Sequence, residues 1–404
     1  MTTMTDPPRE SFRLSMLLND KRYRSYTFQF IALICLMLLF AYLLSNLLSN
    51  LRAAGLNFSY KFLAEPSNYD INQHLIEYSS RSSHLRAATV GVLNTLLVAF
   101  LACVTATIFG VVAGVLRLSK NWLVRKLMSF YVEIFRNVPV LIWIIIIFTI
   151  MTAVMPAPRE FRGDDPSASM LFDAFAFTNR GVYMPKPVLE PMGWVVVGVF
   201  IASIFGMFAY RRYATKLLYD TGKLLPMGWP SIAILFLPCI LAFYILGRPI
   251  SLDYPELRGF NFGGGIQILG SLIALWFALA IYTGAFIAEN VRAGIQSVSR
   301  GQTEAAASLG LRPRRIMNLV ILPQALRVII PPLISQYLNI AKNSSLAIAV
   351  GYMDITGTLG GITLNQTGRA IESVLLLMAF YLAISLTISV VMNIYNNSIK
   401  LKER

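Results

Sequence analysis

Lys342 stands in an otherwise apolar stretch with Asn339, Asn343 and Ser344 around it and the pair Pro331-Pro332 before it. An ammonium and three polar side chains at membrane depth are costly unless they face water, protein or a passing solute, so the cluster is a candidate site by default. The alternative places Lys342 near an interface, where its long stem carries the charge out to the headgroups. Arg136 beside Asn137 and Pro139, Glu289 near Arg292, and the pair Asn94-Thr95 are further candidates for lining or gating a polar pathway. A structural ion pair or a boundary charge explains Arg136 and Glu289 equally well. Nothing here is arranged for catalysis. The chain has no Gly-x4-Gly-Lys-Ser/Thr loop to cradle a nucleotide, and its serines and aspartates form no nucleophile elbow. The two histidines, His74 and His84, share one polar segment without cysteines, so they read as exposed polar residues rather than metal ligands. The residue types point to passage and binding, with no catalytic or metal site expected.

Such residues need a scaffold, and the apolar runs define it. Of 404 residues, 56% are hydrophobic and only 14% charged, which excludes an ordinary water-soluble domain. Crossing a bilayer core takes about 20 apolar residues in a helix, and helices satisfy the backbone where no water can. The pattern predicts an all-α, polytopic transmembrane helical bundle of about eight membrane segments, near 28–48, 88–116, 127–154, 194–210, 230–247, 266–288, 324–350 and 371–392. The fourth and fifth are short, and a re-entrant hairpin there would leave the same parity. Residues 49–87 and the proline-rich 156–191 are polar and read as solvent-exposed loops.

The net charge is +15, but its placement matters more than its size. With the N-terminus inside, the inner segments hold 22 of the 35 Lys and Arg and the outer segments 11. That is the positive-inside bias, so the basic excess reports topology, with both termini cytoplasmic, and no nucleic-acid partner is expected. The first apolar run is too long for a cleaved signal and lacks a small-residue cleavage site at Ser45-Asn46-Leu47-Leu48, so it reads as a retained anchor. Cys35, Cys103 and Cys239 fall in apolar runs and pack as small hydrophobes. Gly110-x-x-x-Gly114 sets two small residues on one helix face and permits close helix approach.

Between two apolar segments lies Glu304-Ala305-Ala306-Ala307-Ser308-Leu309-Gly310, with Leu322-Pro323 beginning twelve residues after the glycine. Ser299 is placed to cap a short helix, with Gln302 as its capping-box partner. Gly310 supplies a left-handed stop. Pro313 suits the first turn of a second short helix, and Pro323 ends or bends that helix before the next span. Two short helices meeting at an angle make a compact knob that can transmit a push as a rigid body.

The full spacing resembles the EAA loop of ABC importer permeases, with Val320 where that family usually shows isoleucine. Glu289-Asn290-Val291-Arg292-Ala293-Gly294-Ile295, Gly301-Gln302, Asn94-Thr95-Leu96 and Arg136-Asn137-Val138-Pro139 look like permeases of polar amino-acid importers. These matches cover about 86–143 and 266–395, and the added length resembles the general L-amino-acid permeases of proteobacteria. The resemblance implies a type I (MetI-like) permease fold in the inner membrane and import of L-amino acids, polar or broad in range. It implies two cytoplasmic ATPase subunits and a coupling loop, 299–323, that sits in a groove on the ATPase through Gln302, Glu304, Ala305, Ala306, Gly310, Leu322 and Pro323.

The same resemblance implies a second permease subunit, a paralogue or another copy, and a periplasmic amino-acid-binding protein. ATP and Mg would act on the ATPase, and this chain, set in membrane lipid, would bind no cofactor. An amino-acid zwitterion needs an acceptor for its ammonium and donors for its carboxylate, which Asn94, Thr95, Asn339, Asn343 and Ser344 could supply. On this basis the chain divides into four parts. Residues 1–85 form the tail, first transmembrane helix and outer loop; 86–155 begin the permease core. An inserted outer loop and extra hairpin occupy 156–265, and 266–404 complete the core. An ion-driven secondary transporter would show paired inverted repeats with broken helices, and a membrane enzyme a metal or nucleophile cluster. Neither is evident.

Overall fold

The computed structural model describes residues 18, 20–53, 55, 58–162 and 166–399. Arg9, Arg13, Asn57, Asp164, Asp165, Lys400, Lys402 and Arg404, which contribute to the topology and loop expectations, lie outside the described residues. The chain forms two units, Met1–Phe62 and Leu63–Arg404. In the first, α1 (Lys21–Ala53) extends the expected 28–48 run into polar flanks on both sides. Its 33 residues make about 50 Å of helix, longer than a bilayer core of about 30 Å. Both ends therefore have length to stand among the headgroups.

In the second unit α2 (His84–Leu116) is capped by Ser83, whose hydroxyl accepts from Arg86 N–H. Then come α3 (Trp122–Asn137), α4 (Val140–Val154), strands β1 (Ala176–Thr178), β2 (Gly181–Met184) and β3 (Lys186–Leu189), and helices α5 (Gly193–Thr221) and α6 (Gly228–Ile245). Strands β4 (Ile250–Asp253), β5 (Glu256–Arg258), β6 (Asn261–Gly263) and β7 (Ile266–Leu269) lead into the long helix α7 (Gly270–Gln296). The short α8 (Arg300–Ser308) and α9 (Pro313–Ile316) precede α10 (Leu322–Asn343), α11 (Leu364–Thr367) and α12 (Ala370–Ile399). Among the described residues seven helices are long and apolar enough to cross a bilayer, and eight if the bent pair α3–α4 counts as one span.

Three expectations are corrected. The segment 127–154 is not one helix: α3 and α4 meet at 106°. Val138, ahead of Pro139, is extended (φ −110°, ψ 132°), and Pro139 lacks the N–H that would continue the ladder. The polar stretch 156–191 is not simply a loop, since it carries β1, β2 and β3. Strands β1, β2 and β7 form an antiparallel sheet, and β3–β4 and β5–β6 pair as two-stranded ribbons. An aromatic cluster ties this small lobe together, with Phe161 and Tyr183 at 5.3 and 5.0 Å from Phe262. The sixth segment accordingly starts as strand β7, and its helix begins only at Gly270.

The centre of the bundle is α7. Leu275, Leu279 and Ile287 are fully buried, and α2, α4 and α10 pack around them. Lipid tails are as apolar as leucine, so close approach rather than escape from water holds such helices together. Gly110 and Gly114 provide that approach. A Cβ on Gly110 would sit 2.5 Å from Ile287 Cβ, and one on Gly114 2.7 Å from the Ala288 carbonyl oxygen.

Candidate functional site

The loop at 299–323 folds as its punctuation dictates, except at its start. α8 begins after Ser299, but no side-chain capping bond forms there; only Gln302 N–H donates to the Ser299 carbonyl, at 3.1 Å. The expected capping box is therefore absent. Gly310 turns left-handed (φ +75°) and its N–H donates to Ala307 O at 2.9 Å. Pro313 opens α9, which Arg312 precedes in extended conformation. Ala306 and Ile316 are buried, while Gln302, Glu304, Ala305 and Leu309 face outward, Leu309 at 80% exposure. The result is a knob with an apolar inner contact and a smooth, exposed outer side.

Pro323 neither ends nor sharply bends the second helix. A π-helical turn over Met317–Ile321, closed by Leu322 N–H donating to Met317 O, leads into α10, and Pro323 sits in the first turn of α10. Pro313–Val350 is consequently one 38-residue helical run. Leu322 is exposed and Pro323 half-buried where knob and span join.

The polar candidates separate into three places. Asn94 and Thr95 on α2 are fully buried. Asn94 donates to the carbonyls of Gln73 and Met353, both at 2.8 Å, and the Thr95 hydroxyl accepts from Ile355 N–H at 3.1 Å. They fasten the connection between α10 and α12 to α2. Ser344 is also buried and donates to Ala341 O at 2.8 Å, and Asn343 is half-buried. Asn339 and Lys342 lie on an exposed face of α10 with Ser335, spaced one turn apart. No salt bridge reaches Lys342 among the described residues.

Arg136 and Glu289 do come together, in a four-residue node. The Glu289 carboxylate pairs with Arg117 at the end of α2, with Arg292 at 2.5 Å and with Arg136 at 3.9 Å. Arg136 also stacks over Phe286, 5.2 Å from the ring centre, and Arg292 donates to Gln296 at 2.7 Å. The structural ion pair, one reading of these charges, is formed. It joins α2 and α3 to the end of α7 that leads into the knob. Arg117 was not among the sequence candidates: its partner lies 172 residues away, and no local pattern marks it.

Histidine placement is also corrected. His74 is exposed as expected, but His84 is buried with its Nδ1 3.0 Å from the Thr363 hydroxyl, which also meets the Tyr69 hydroxyl at 3.2 Å. Among the described residues no group of His, Cys, Asp and Glu is placed to hold a metal, and the three cysteines are free.

Helices long and apolar enough to cross a bilayer, several of them in Leu63–Arg404 packed around α7, define an integral membrane protein. Residues 195–401 match the family of binding-protein-dependent transport system inner membrane components, and the chain belongs to that family. It is a transport subunit, not an enzyme. The chain is 51% identical over 428 aligned residues, all of both chains, to the glutamate/glutamine/aspartate/asparagine transport system permease protein BztB of Rhodobacter capsulatus. It is 41% identical over 395 residues, 98% of this chain and 96% of the relative, to the general L-amino acid transport system permease protein AapQ of Rhizobium johnstonii. The probable glutamine ABC transporter permease protein GlnM of Bacillus subtilis is 33% identical over 229 residues, 56% of this chain and 95% of GlnM.

Proposed function

We propose that this chain is one of two permease subunits of an ATP-driven importer of L-amino acids, with two cytoplasmic ATPase subunits and a periplasmic binding protein as partners. The observation that carries the reading is the continuous helical run Pro313–Val350, which starts in the exposed knob and carries Asn339 and Lys342 on an exposed face. A displacement applied to the knob therefore reaches the candidate pathway through one helix, a two-state coupling with no chemistry in this chain. The solute class is supported by the substrates in the names of BztB, AapQ and GlnM.

Gln302, Glu304, Ala305 and Leu309 are the surface offered to the ATPase, with Ala306 and Gly310 shaping it and Leu322 and Pro323 tying it to the span. Asn339 and Lys342 line the pathway, which a second permease subunit, paralogue or copy, closes from the other side. Asn94, Thr95, Asn343 and Ser344 hold its wall, and the Glu289 node with Arg136 braces its inner end. The charge bias supports cytoplasmic termini, and ATP and Mg belong to the ATPase. The test is reconstitution of the co-purified complex in proteoliposomes with its binding protein. L-amino acids should stimulate ATP hydrolysis and accumulate inside only when ATP is supplied. Uptake that survives removal of the ATPase and collapses with a protonophore would instead make the chain an ion-driven transporter.

A further inference from the structure

Where α8 turns into α9, the knob holds a hollow of about 280 Å³ lined by Gly310, Leu311, Arg312 and Arg315. Gly310 leaves one wall open, since a Cβ there would meet no atom within 4 Å. Half-buried Leu311 donates its N–H to Ala306 O at 3.4 Å and ties the turn back onto α8. Arg312 and Arg315 stand three residues apart on the way into α9, a spacing that lets both side chains reach one hollow. Both are exposed, and neither makes a salt bridge among the described residues. Glu304, the one acidic residue of 299–323, does not pair with them. Arg300 and Arg314 are exposed and unmatched as well, so the knob carries a net charge of +3.

Membrane topology accounts for cations on this side of the bilayer but not for their kind. Between 299 and 323 every cation is an arginine, whereas other inner segments use lysine too, at Lys120 and Lys126 and at Lys216 and Lys223. Either residue serves topology or attraction to headgroups. A guanidinium is the weakly hydrated, forked donor that is enriched where protein surfaces meet, and lysine is depleted there. Leu309, 80% exposed, adjoins Gly310, so apolar surface stands beside the cations, which a headgroup or a free anion leaves unanswered. We propose that the hollow receives a carboxylate side chain of the ATPase, an Asp or Glu held by Arg312 and Arg315. The proposal rests on the reading of the knob as the ATPase contact and adds to it a directional, charge-assisted pair. Arg315 lies within the run Pro313–Val350, so a pull on that carboxylate acts on the span itself.

The test uses the full-length chain in nanodiscs, titrated with its ATPase. Replacing Arg312 and Arg315 together by Gln should weaken ATPase binding about tenfold and flatten its salt dependence between about 0.05 and 0.5 M NaCl. A second variant, Arg315→Lys, keeps the charge and supplies the only lysine in 299–323. A zero-length carbodiimide should join that amine to an Asp or Glu of the ATPase, with the linked peptides read by mass spectrometry. Equal affinity and an unchanged salt response in the double Gln variant overturn the proposal and leave the ATPase contact standing. A parent chain that binds no ATPase overturns both. Carbodiimide products confined to this chain also overturn the proposal. So does a double Gln variant that releases phosphatidylglycerol from the nanodisc but keeps its ATPase, which would give the arginines to the membrane.

Discussion

At the scale of single residues, Gly310 is the most constrained position of the knob. Its backbone is left-handed, yet no atom lies within 4 Å of where a Cβ would stand. Gly310→Val therefore meets backbone strain alone, about 1–3 kcal/mol. The variant should reach the membrane at normal abundance and lose about tenfold or more of its co-purifying ATPase; full co-purification with normal uptake would remove the knob from the mechanism. Asp354, in the connection between α10 and α12, is a different kind of constraint. Burial pushes its carboxyl from near 3.8 up to about 6, against the opposing pull of the Gly357 N–H and the Tyr381 hydroxyl, which both donate to it. Below the unfolded pKa both states are protonated and the group is neutral to stability. As pH rises the unfolded chain ionises first, so stability falls through the window from about 4 to about 6, by on the order of 2–3 kcal/mol. Thermal melts in detergent should show that fall, and Asp354→Asn should flatten it; an unchanged slope in the variant would exonerate this carboxyl. Gly310 was legible in the sequence because one residue type sets its local geometry. Asp354 was not, because its burial comes from Tyr381 and the packed connection, not from its neighbours in sequence.

At the scale of elements, the packing of α2 on α7 rests on absent side chains. Gly114→Val would put a branched carbon into the Ala288 carbonyl and the Val291 side chain, closer than 3 Å. The helices must part, at a cost of about 1–3 kcal/mol, and the purified variant should aggregate at a lower temperature than the parent while remaining inserted. An unshifted aggregation temperature would mean that the interface yields freely. The glycine spacing announced this contact, though not its partner helix. The break at Pro139 was also written in the chain, since Asn137-Val138-Pro139 carries the extended residue before a proline. It passed unseen because apolar residues resume at once, and hydropathy alone joins the two pieces. The seven short strands left weaker signs: each has three or four residues, too few to establish a period of two.

For the molecule as a whole, the path of the chain between β3 and β4 is the larger question. Strands β3 and β4 pair in register, Leu189 opposite Ile250, and α5 and α6 leave and return through that pair. Replacing residues 190–249 by a two-residue turn should therefore close a hairpin and leave the remaining bundle inserted and monodisperse. Aggregation of the shortened chain would show that the hairpin is part of the core. The number and approximate position of the spans could be read from hydropathy, since the bilayer imposes both. Which charges meet could not, because Arg117, Arg136 and Glu289 join only once three helices are assembled. The short helix α4 has one more consequence. Its 15 residues measure about 22 Å, well under a hydrocarbon thickness of about 30 Å, so the surrounding bilayer must dimple to meet it or the helix must sink. Turnover should accordingly depend on acyl length, running faster in vesicles of short-chain than of long-chain phosphatidylcholine, and a flat response across chain lengths would mean that neighbouring protein, not lipid, surrounds this helix.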